Sequence, residues 1–395
     1  MNKKYFIHEI KSHLTLVIIF LVVTCSIAAI AGFSVPYYNT VHHNAYQGQD
    51  MAYQLGTVPA MIGFSSVCAL LLATFMPLST FHYRLKANEA DLYLQTPFKP
   101  NRFRWQRILF GLGLVLALTT VLFWFEILVF SLSSLRPLPE SYYLDGSGSW
   151  VEYTRASLNY GYIALAFVYI LFGAAAQYFI SSFAVAAGKN VVYSLIGLAL
   201  FQGLLGSFPA AIFGYITNFI PDANYFDYTY PSLCLNLSMV NPGVMIFTIF
   251  YPLIQGRQIF SGDWYPSVLI IGQVLYFVLA GGLAAYLFLA KEPSGEHAGK
   301  LGFHPRWFLP LYHIGNAITG LTSVSGLSVI GSVFTGAILS SLILGLVLWG
   351  FRYYLILALC KASFKFKKSD WIWFASVMAF VLLTTIAGIV GNALI

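Results

Sequence analysis

Residues 81–107 read FHYRLKANEADLYLQTPFKPNRFRWQR, a charged stretch set between two long apolar runs. A run of about 20 apolar residues crosses a bilayer as a helix, so a stretch this polar between two such runs is a loop at the membrane surface. Its Arg84, Lys86, Lys99, Arg102, Arg104 and Arg107 place it on the cytoplasmic side, where basic short loops are retained. Within it, Asn88 reads as a helix N-cap, and Glu89 and Asp91 occupy the first turn, where the helix dipole favours anions. Leu92, Tyr93 and Leu94 follow, and Pro97 stops the helix. Asn101 then opens the next helix, which enters the membrane with Arg102, Arg104 and Arg107 as its collar. A short helix held between two spans is a shape suited to docking a partner; the same pattern also fits a helix that only lies on lipid headgroups.

Composition points to the same class. Of the 395 residues, 58% are hydrophobic and 9% charged, with a mean hydropathy of +0.75, whereas soluble domains carry about 25% charged residues. The expected fold is all-α: a polytopic helical membrane protein of about nine transmembrane helices. Aromatic residues gather at span ends, among them Tyr37, Tyr38, Trp150, Trp264, Trp307 and Trp371, as interfacial belts require. The net charge of +7 reflects sorting of basic residues by side and not affinity for nucleic acid. Cys25, Cys68, Cys234 and Cys360 are scattered without a C-x-x-C pair, which indicates neither a disulfide framework nor a zinc site.

Taken in order, residues 1–13 pattern as an amphipathic helix on the inner surface, with Phe6, Ile7 and Ile10 opposed to Lys3, Lys4 and Lys11. His8, Glu9 and His13 resemble H-E-x-x-H, but the second histidine falls at i+5, rotated about 140° from the first. Six spans then fill residues 14–290. The first runs from Leu14 to Val35, and an outer loop with His42, His43 and Asp50 follows. Spans four and five are joined by the tight turn Lys189-Asn190, with Gly173, Ala174, Ala175, Ala176 and Gly188 allowing close helix approach. Residues 221–266 form an outer region in which 243–254 read as surface or re-entrant helix. Residues 291–395 add further helices, two of them assigned to 309–330 and 333–358, then a basic connector at 359–370 and a last span from Trp371. Of the 21 Lys and Arg, this topology leaves only Arg136, Arg155 and Arg257 outside. It sets the protein in the cell membrane with its N-terminus cytoplasmic and its C-terminus outside.

Polar groups inside spans are candidate path residues. Glu126 sits in the apolar string Phe-Trp-Phe-Glu-Ile-Leu near the outer end of span three. It fits a substrate or helix-pairing role, and equally a carboxylate that snorkels to the headgroups. Gln177 and Gln202 are explained by inter-helix hydrogen bonding as well as by substrate binding. No G-x-x-x-x-G-K-[ST], G-x-S-x-G or zinc motif occurs in the sequence, so no catalytic residue, metal or cofactor is assigned to this chain. Energetic work would have to come from a partner.

The order of an amphipathic helix, two spans and a loop reading Phe81-His-Tyr-Arg-Leu-Lys, then Ala90-Asp91-Leu92-Tyr93-Leu94-Gln-Thr-Pro97, then a basic return through Arg102 and Arg107 resembles the permease subunits of ABC-type exporters. The stretch Ile356-Leu-Ala-Leu-Cys360-Lys-Ala-Ser-Phe-Lys-Phe-Lys-Lys-Ser-Asp-Trp371 resembles the Gram-positive branch of that family. Members of this branch often continue into an extracytoplasmic domain, and this chain stops where one would begin. The usual small-residue–Leu-Pro centre is here Gln95-Thr96-Pro97.

The resemblance implies that the loop's short helix is a coupling helix seated in a cytosolic ABC ATPase. Glu89, Asp91, Leu92, Tyr93 and Leu94 would be docking positions, and Pro97 the helix stop. A second permease subunit would complete the assembly, with ATP and Mg on the ATPase and no nucleic acid involved. Family cargoes include peptides, antibiotics and lipids, and the scarcity of membrane-embedded charge suits a hydrophobic or amphipathic one. Two other readings stand beside it. An ion-coupled secondary transporter would need midplane ionisable groups and broken helices in corresponding halves. A non-transporting sensor or assembly factor would use the same loop to hold a cytosolic partner.

Overall fold

The computed structural model describes residues 3–34, 38–43, 50–53, 57–85, 100–138, 140, 142–143, 150–155, 160–202, 265–289, 300–304, 309, 312–317, 320–321 and 338–394. Its long helices are α1 (Lys3–Ser34), α2 (Thr57–Thr80), the short α3 (His82–Leu85), α4 (Pro100–Ser133), α5 (Tyr160–Ala187), α6 (Val191–Gln202), α7 (Tyr265–Leu289), α8 (Ile338–Lys361) and α9 (Lys368–Leu394). Six of them are long and apolar enough to cross a membrane, and α6 together with Tyr276–Leu289 in α7 are shorter apolar helices. The protein is thus a helical, membrane-spanning one. Of the helix expected at 309–330, residues 309, 312–317 and 320–321 are described and are helical, and the outer region at 221–266 lies outside the described residues except for 265–266. Residues 3–13 are continuous with the first span in a single helix.

The chain divides into two compact units. The first gathers the described residues up to Ala73 and from Leu109 to Gln177. Here α1 exposes Ile18, Ile19, Val22, Val23 and Ile30, a surface suited to lipid and not to water. Ala28 of α1, Cys68 of α2 and Leu122 of α4 form a buried cluster against which Phe20, Cys25, Phe64 and Phe125 pack. The same unit carries an antiparallel sheet of β1 (Tyr38–His43), β2 (Asp50–Tyr53), β3 (Tyr142–Tyr143) and β4 (Trp150–Arg155) in the order β2-β1-β4-β3. Strand β1 pairs with β4 from Tyr38↔Arg155 to His43↔Trp150. The segment after α1 therefore meets the segment after α4, as it must if spans one and three end on the same side. The sheet is an addition to the helical class read from sequence.

The second unit gathers Thr74–Ile108 and the described residues from Tyr178 onward. Its centre is the end of α5, where residues 180–188 are buried all round. The turn to α6 is as short as the sequence implied. Asn190 caps α6, its Oδ1 accepting from Tyr193 N at 2.9 Å, and Ser194 Oγ donates back to Val185 O at 3.0 Å. Residues 302–304 run as an extended strap between this turn and the end of α8. Lys189 N donates to Gly302 O (3.3 Å), His304 N to Ala187 O (2.8 Å) and Phe303 N to Cys360 O (3.1 Å).

The end of α8 explains why that last acceptor is free. Ser363 N bonds Ala358 O and Ala362 N bonds Leu359 O, with Ala362 at φ 50°. This closing turn satisfies two terminal carbonyls and leaves the next one for the strap. The expected connector at 359–370 is therefore a turn of residues 362–367 between two helix ends. Asp370 closes it by accepting from Lys367 N (2.8 Å) and pairing with Lys361.

His313 and Asn316, the polar residues of the weak stretch before the last helices, are both buried and internally satisfied. His313 stacks on Trp373 with ring centroids 5.2 Å apart and bonds the Tyr353 hydroxyl; Asn316 Nδ2 donates to Tyr312 O at 2.9 Å.

A Cβ on Gly188 would lie 2.6 Å from Ser194 N and 2.8 Å from Ser194 Cα, backbone atoms that cannot swing aside. Gly188→Ala is therefore expected to destabilise the α5–α6 turn by about 1–3 kcal/mol, read as a lower thermal midpoint of the detergent-purified protein. A midpoint equal to the native one would show that this turn does not pack as described.

Candidate functional site

The charged loop is the natural place to look for function, and the structure describes its base. Residues 86–99, which carry the expected docking positions Glu89, Asp91, Leu92, Tyr93, Leu94 and Pro97, lie outside the described residues. On the incoming side, α2 ends at Thr80, and Phe81, Tyr83 and Leu85 follow, all buried. On the outgoing side the first turns of α4 bring Phe103, Arg104, Trp105 and Arg107.

These two sides are locked together. Tyr83 and Phe103 meet edge to face with centroids 5.2 Å apart. The guanidinium of Arg107 lies 4.8 Å from the Tyr83 ring centre and 5.0 Å from that of Phe103, and its Nη1 donates to Thr80 O at 3.2 Å. One turn earlier, Arg104 Nη2 donates to Phe288 O at 3.4 Å and Trp105 Nε1 donates to the same oxygen at 3.0 Å. Trp105 also packs edge to face on Phe288 at 5.2 Å. The Tyr178 hydroxyl of α5 donates to Ile108 O at 3.1 Å.

This corrects the expectation of a snorkelling collar. Arg104 is 0% exposed and Arg107 is 7% exposed. The physical reason is that Thr80 and Phe288 stand at the C-terminal ends of α2 and α7, where carbonyls have no partner within their own helix and the dipole is negative. A guanidinium carries several donors in a planar fork, so it replaces water at these carbonyls and remains charged in an otherwise buried place.

Basic residues also meet at the α5–α6 turn. Asn190 Nδ2 donates to Lys300 O at 3.2 Å, and burial together with the neighbouring Lys300 holds the Lys189 ammonium below the usual lysine range. The groups expected to share one side of the membrane thus come together in the second unit: the loop base with the end of α7, and the α5–α6 turn with residues 300–304 and the end of α8.

The path candidates are placed separately. Glu126 stands on α4 seven residues before Ser133, about 10 Å from that end of the helix. It does not reach out to the span's end: it is 1% exposed, beside Ser65 and Cys68 of α2 and Cys25 of α1. Gln177 is buried on α5, ten residues before Ala187 and so about 15 Å from the opposite end of its span. Gln202 closes the described part of α6, and its Nε2 is buried without a hydrogen-bond partner. His13, the second histidine of the near-motif, packs against Phe110 with ring centroids 5.5 Å apart.

No family model, no curated protein and no solved structure matches the chain.

Replacing Arg107 by Ala would remove a charged hydrogen bond and two ring contacts and leave the Thr80 carbonyl buried and unpaired. A loss of about 2–3 kcal/mol is expected, measurable as a lower thermal midpoint in detergent. Arg107→Lys should recover only part of it, because an ammonium cannot lie flat between two rings while bonding a carbonyl. Full recovery by lysine would show that charge alone, and not the planar fork, holds the loop base.

Proposed function

We propose that this chain is the membrane-spanning permease subunit of an ATP-driven ABC-type exporter. In this reading its charged loop docks a cytosolic ATPase, and a second permease subunit completes the transport path. ATP and Mg reside on the ATPase, whose closure is coupled to export of a hydrophobic or amphipathic substrate such as a peptide, antibiotic or lipid. The loop side then faces the cytoplasm of a cell whose plasma membrane holds the protein, in keeping with its basic residues.

The observation that carries this reading is the construction of the loop base. A surface loop that merely tethers two spans needs no internal bracing. This one has both ends clamped through Arg107, Tyr83 and Phe103, and is joined through Arg104 and Trp105 to the end of α7. A push on the loop's helix would then move the ends of α2, α4 and α7 together. That is the mechanical property a docking helix needs if closure of a partner is to reshape a path through the membrane.

An ion-coupled secondary transporter is the second reading, and Glu126 favours it. It is a buried carboxyl inside an apolar span, the kind of group on which ion or proton coupling depends.

Detergent-solubilised full-length protein, mixed with candidate cytosolic ATPases, is expected to retain one of them through the native loop. Leu92→Asp and Tyr93→Asp should each abolish retention without changing the thermal midpoint. Retention that ignores these substitutions would remove the docking helix from the account. Flux in vesicles that follows a proton or sodium gradient without any ATPase would establish the second reading in its place.

A further inference from the structure

Glu126 is buried in an apolar span, and neither Oε1 nor Oε2 has a hydrogen-bond partner of ordinary geometry, although the hydroxyl and backbone N–H of Ser65 stand close to it. Ser65 stands beside it on α2, but a hydroxyl has one proton, and Ser65 gives its own to Ile62 O at 3.1 Å. The thiols of Cys25 and Cys68, both free, complete its near surroundings and are weak donors. Buried polar groups in native proteins are almost always paired. A carboxyl that served helix association would hold a donor on a neighbouring helix, and one that snorkelled would reach the end of its span. Glu126 does neither, and beyond the weakly placed Ser65 most of its acceptor capacity is left unfilled by the chain itself.

The surroundings specify what would satisfy it. The three helices that supply Cys25, Cys68 and Glu126 also supply one ring each: Phe20 of α1, Phe64 of α2 and Phe125 of α4, all packed against the Ala28, Cys68 and Leu122 cluster. Aromatic faces attract cations, most strongly where water is excluded, and the apolar wall favours a hydrophobic body around the charge. A metal ion is a poor match. Among the described residues no three His, Cys, Asp or Glu come together to ligate one, and a hard cation takes six or more oxygens where this place offers a carboxyl and one committed hydroxyl.

We propose that Glu126 is the charge-binding point of a site for a hydrophobic organic monocation, seated among the α1, α2 and α4 phenylalanines. Such a molecule dissolves in the bilayer and reaches the trio from the lipid. Helix α1 is the least buried of the three, with Ile18, Ile19, Val22 and Val23 facing outward. That such a cation is also the transported cargo rests on the transport reading above. The binding itself does not.

The test uses the full-length purified protein without an ATPase, with tetraphenylphosphonium as the probe. Saturable binding is expected, weakened at least tenfold by Glu126→Gln and less by Glu126→Asp. In the native chain, dicyclohexylcarbodiimide, an apolar carboxyl reagent, should label Glu126, and saturating tetraphenylphosphonium should suppress the label located by mass spectrometry. Three results would each overturn the site: no saturable binding to the native protein, equal binding by native and Glu126→Gln protein, or labelling of Glu126 that the cation does not reduce. The last would mean that the carboxyl holds only a proton. The protection arm needs no variant, so poor folding of Glu126→Gln leaves the question decidable. Failed ATPase docking with intact cation binding would sink the exporter reading alone, and the reverse pattern would sink this site alone.

Discussion

Two arginines on one turn of α4 carry the organisation of the second unit. Arg104 and Arg107 lie three residues apart, so they project from neighbouring positions of one helix face, and each reaches the C-terminal carbonyl of a different helix. Helix ends in a membrane protein are difficult places, because the last carbonyls point where water is scarce and the bilayer supplies no donor. A guanidinium answers that need with both hydrogen bonds and charge, and it is stabilised in turn by the negative end of the dipole. The same solution recurs with backbone donors at α8, where the closing turn takes two carbonyls and the strap at Phe303 takes the third. Residues 300–304 are therefore more than a connection. The backbone N–H groups of His304 and Phe303 are what the ends of α5 and α8 lack.

That constraint also decides which parts of the charged loop are rigid. Basic residues at the start of a span are commonly read as headgroup anchors, with their charge in water and their stems in lipid. Here two of them face inward, and the aromatic residues on either side of the loop become their walls. Tyr83 and Phe103 are separated by the whole loop in sequence, yet share one cation between their rings. The consequence is mechanical: the spacing of α2 and α4 at the loop is set by direct contact and does not depend on the conformation of the residues between.

Much of this arrangement was legible in the sequence, and what was missed has a common cause. The alternation of apolar runs with basic breaks fixes which helix ends lie together, because it depends only on hydropathy and charge. The tight turn at Lys189-Asn190 was visible because so few residues separate two apolar runs. The sheet was not. Strands β1 and β4, YNTVHH and WVEYTR, contain the β-branched and aromatic residues that strands favour. Each pairs with a near neighbour, β1 with β2 and β4 with β3, but the β1–β4 pairing that joins the two hairpins is long-range and has no local signature. The inward turn of Arg104 and Arg107 was missed for the same reason. A span's collar and a helix-end cap have one sequence pattern, and only the neighbours in space distinguish them.

Glu126 illustrates the limit most clearly, because depth along the helix left a snorkelling carboxylate and an inward-facing one equally open. Counting residues along α4 puts it near the end of the span, where a carboxylate can reach headgroups at little cost. Its surroundings are set instead by which side of the helix it occupies. The α4 residues Val121, Trp124 and Leu128 are exposed, while Leu122, Ile127 and Glu126 turn toward protein. A carboxylate on the first face would be solvated by snorkelling; on the second it can be satisfied only by what the neighbouring helices offer. Those helices offer rings, thiols and a serine whose proton is already used. Gln at this position would meet the same packing without the charge, and an Asn or Ser network would have closed the helices more firmly. The retained acid is therefore a departure, and the only carboxyl among the few buried groups left without a partner in the described structure, from the matching seen at His313, Asn316, Asp370 and Arg107. Such departures in an otherwise consistent sequence are where function is expected to lie.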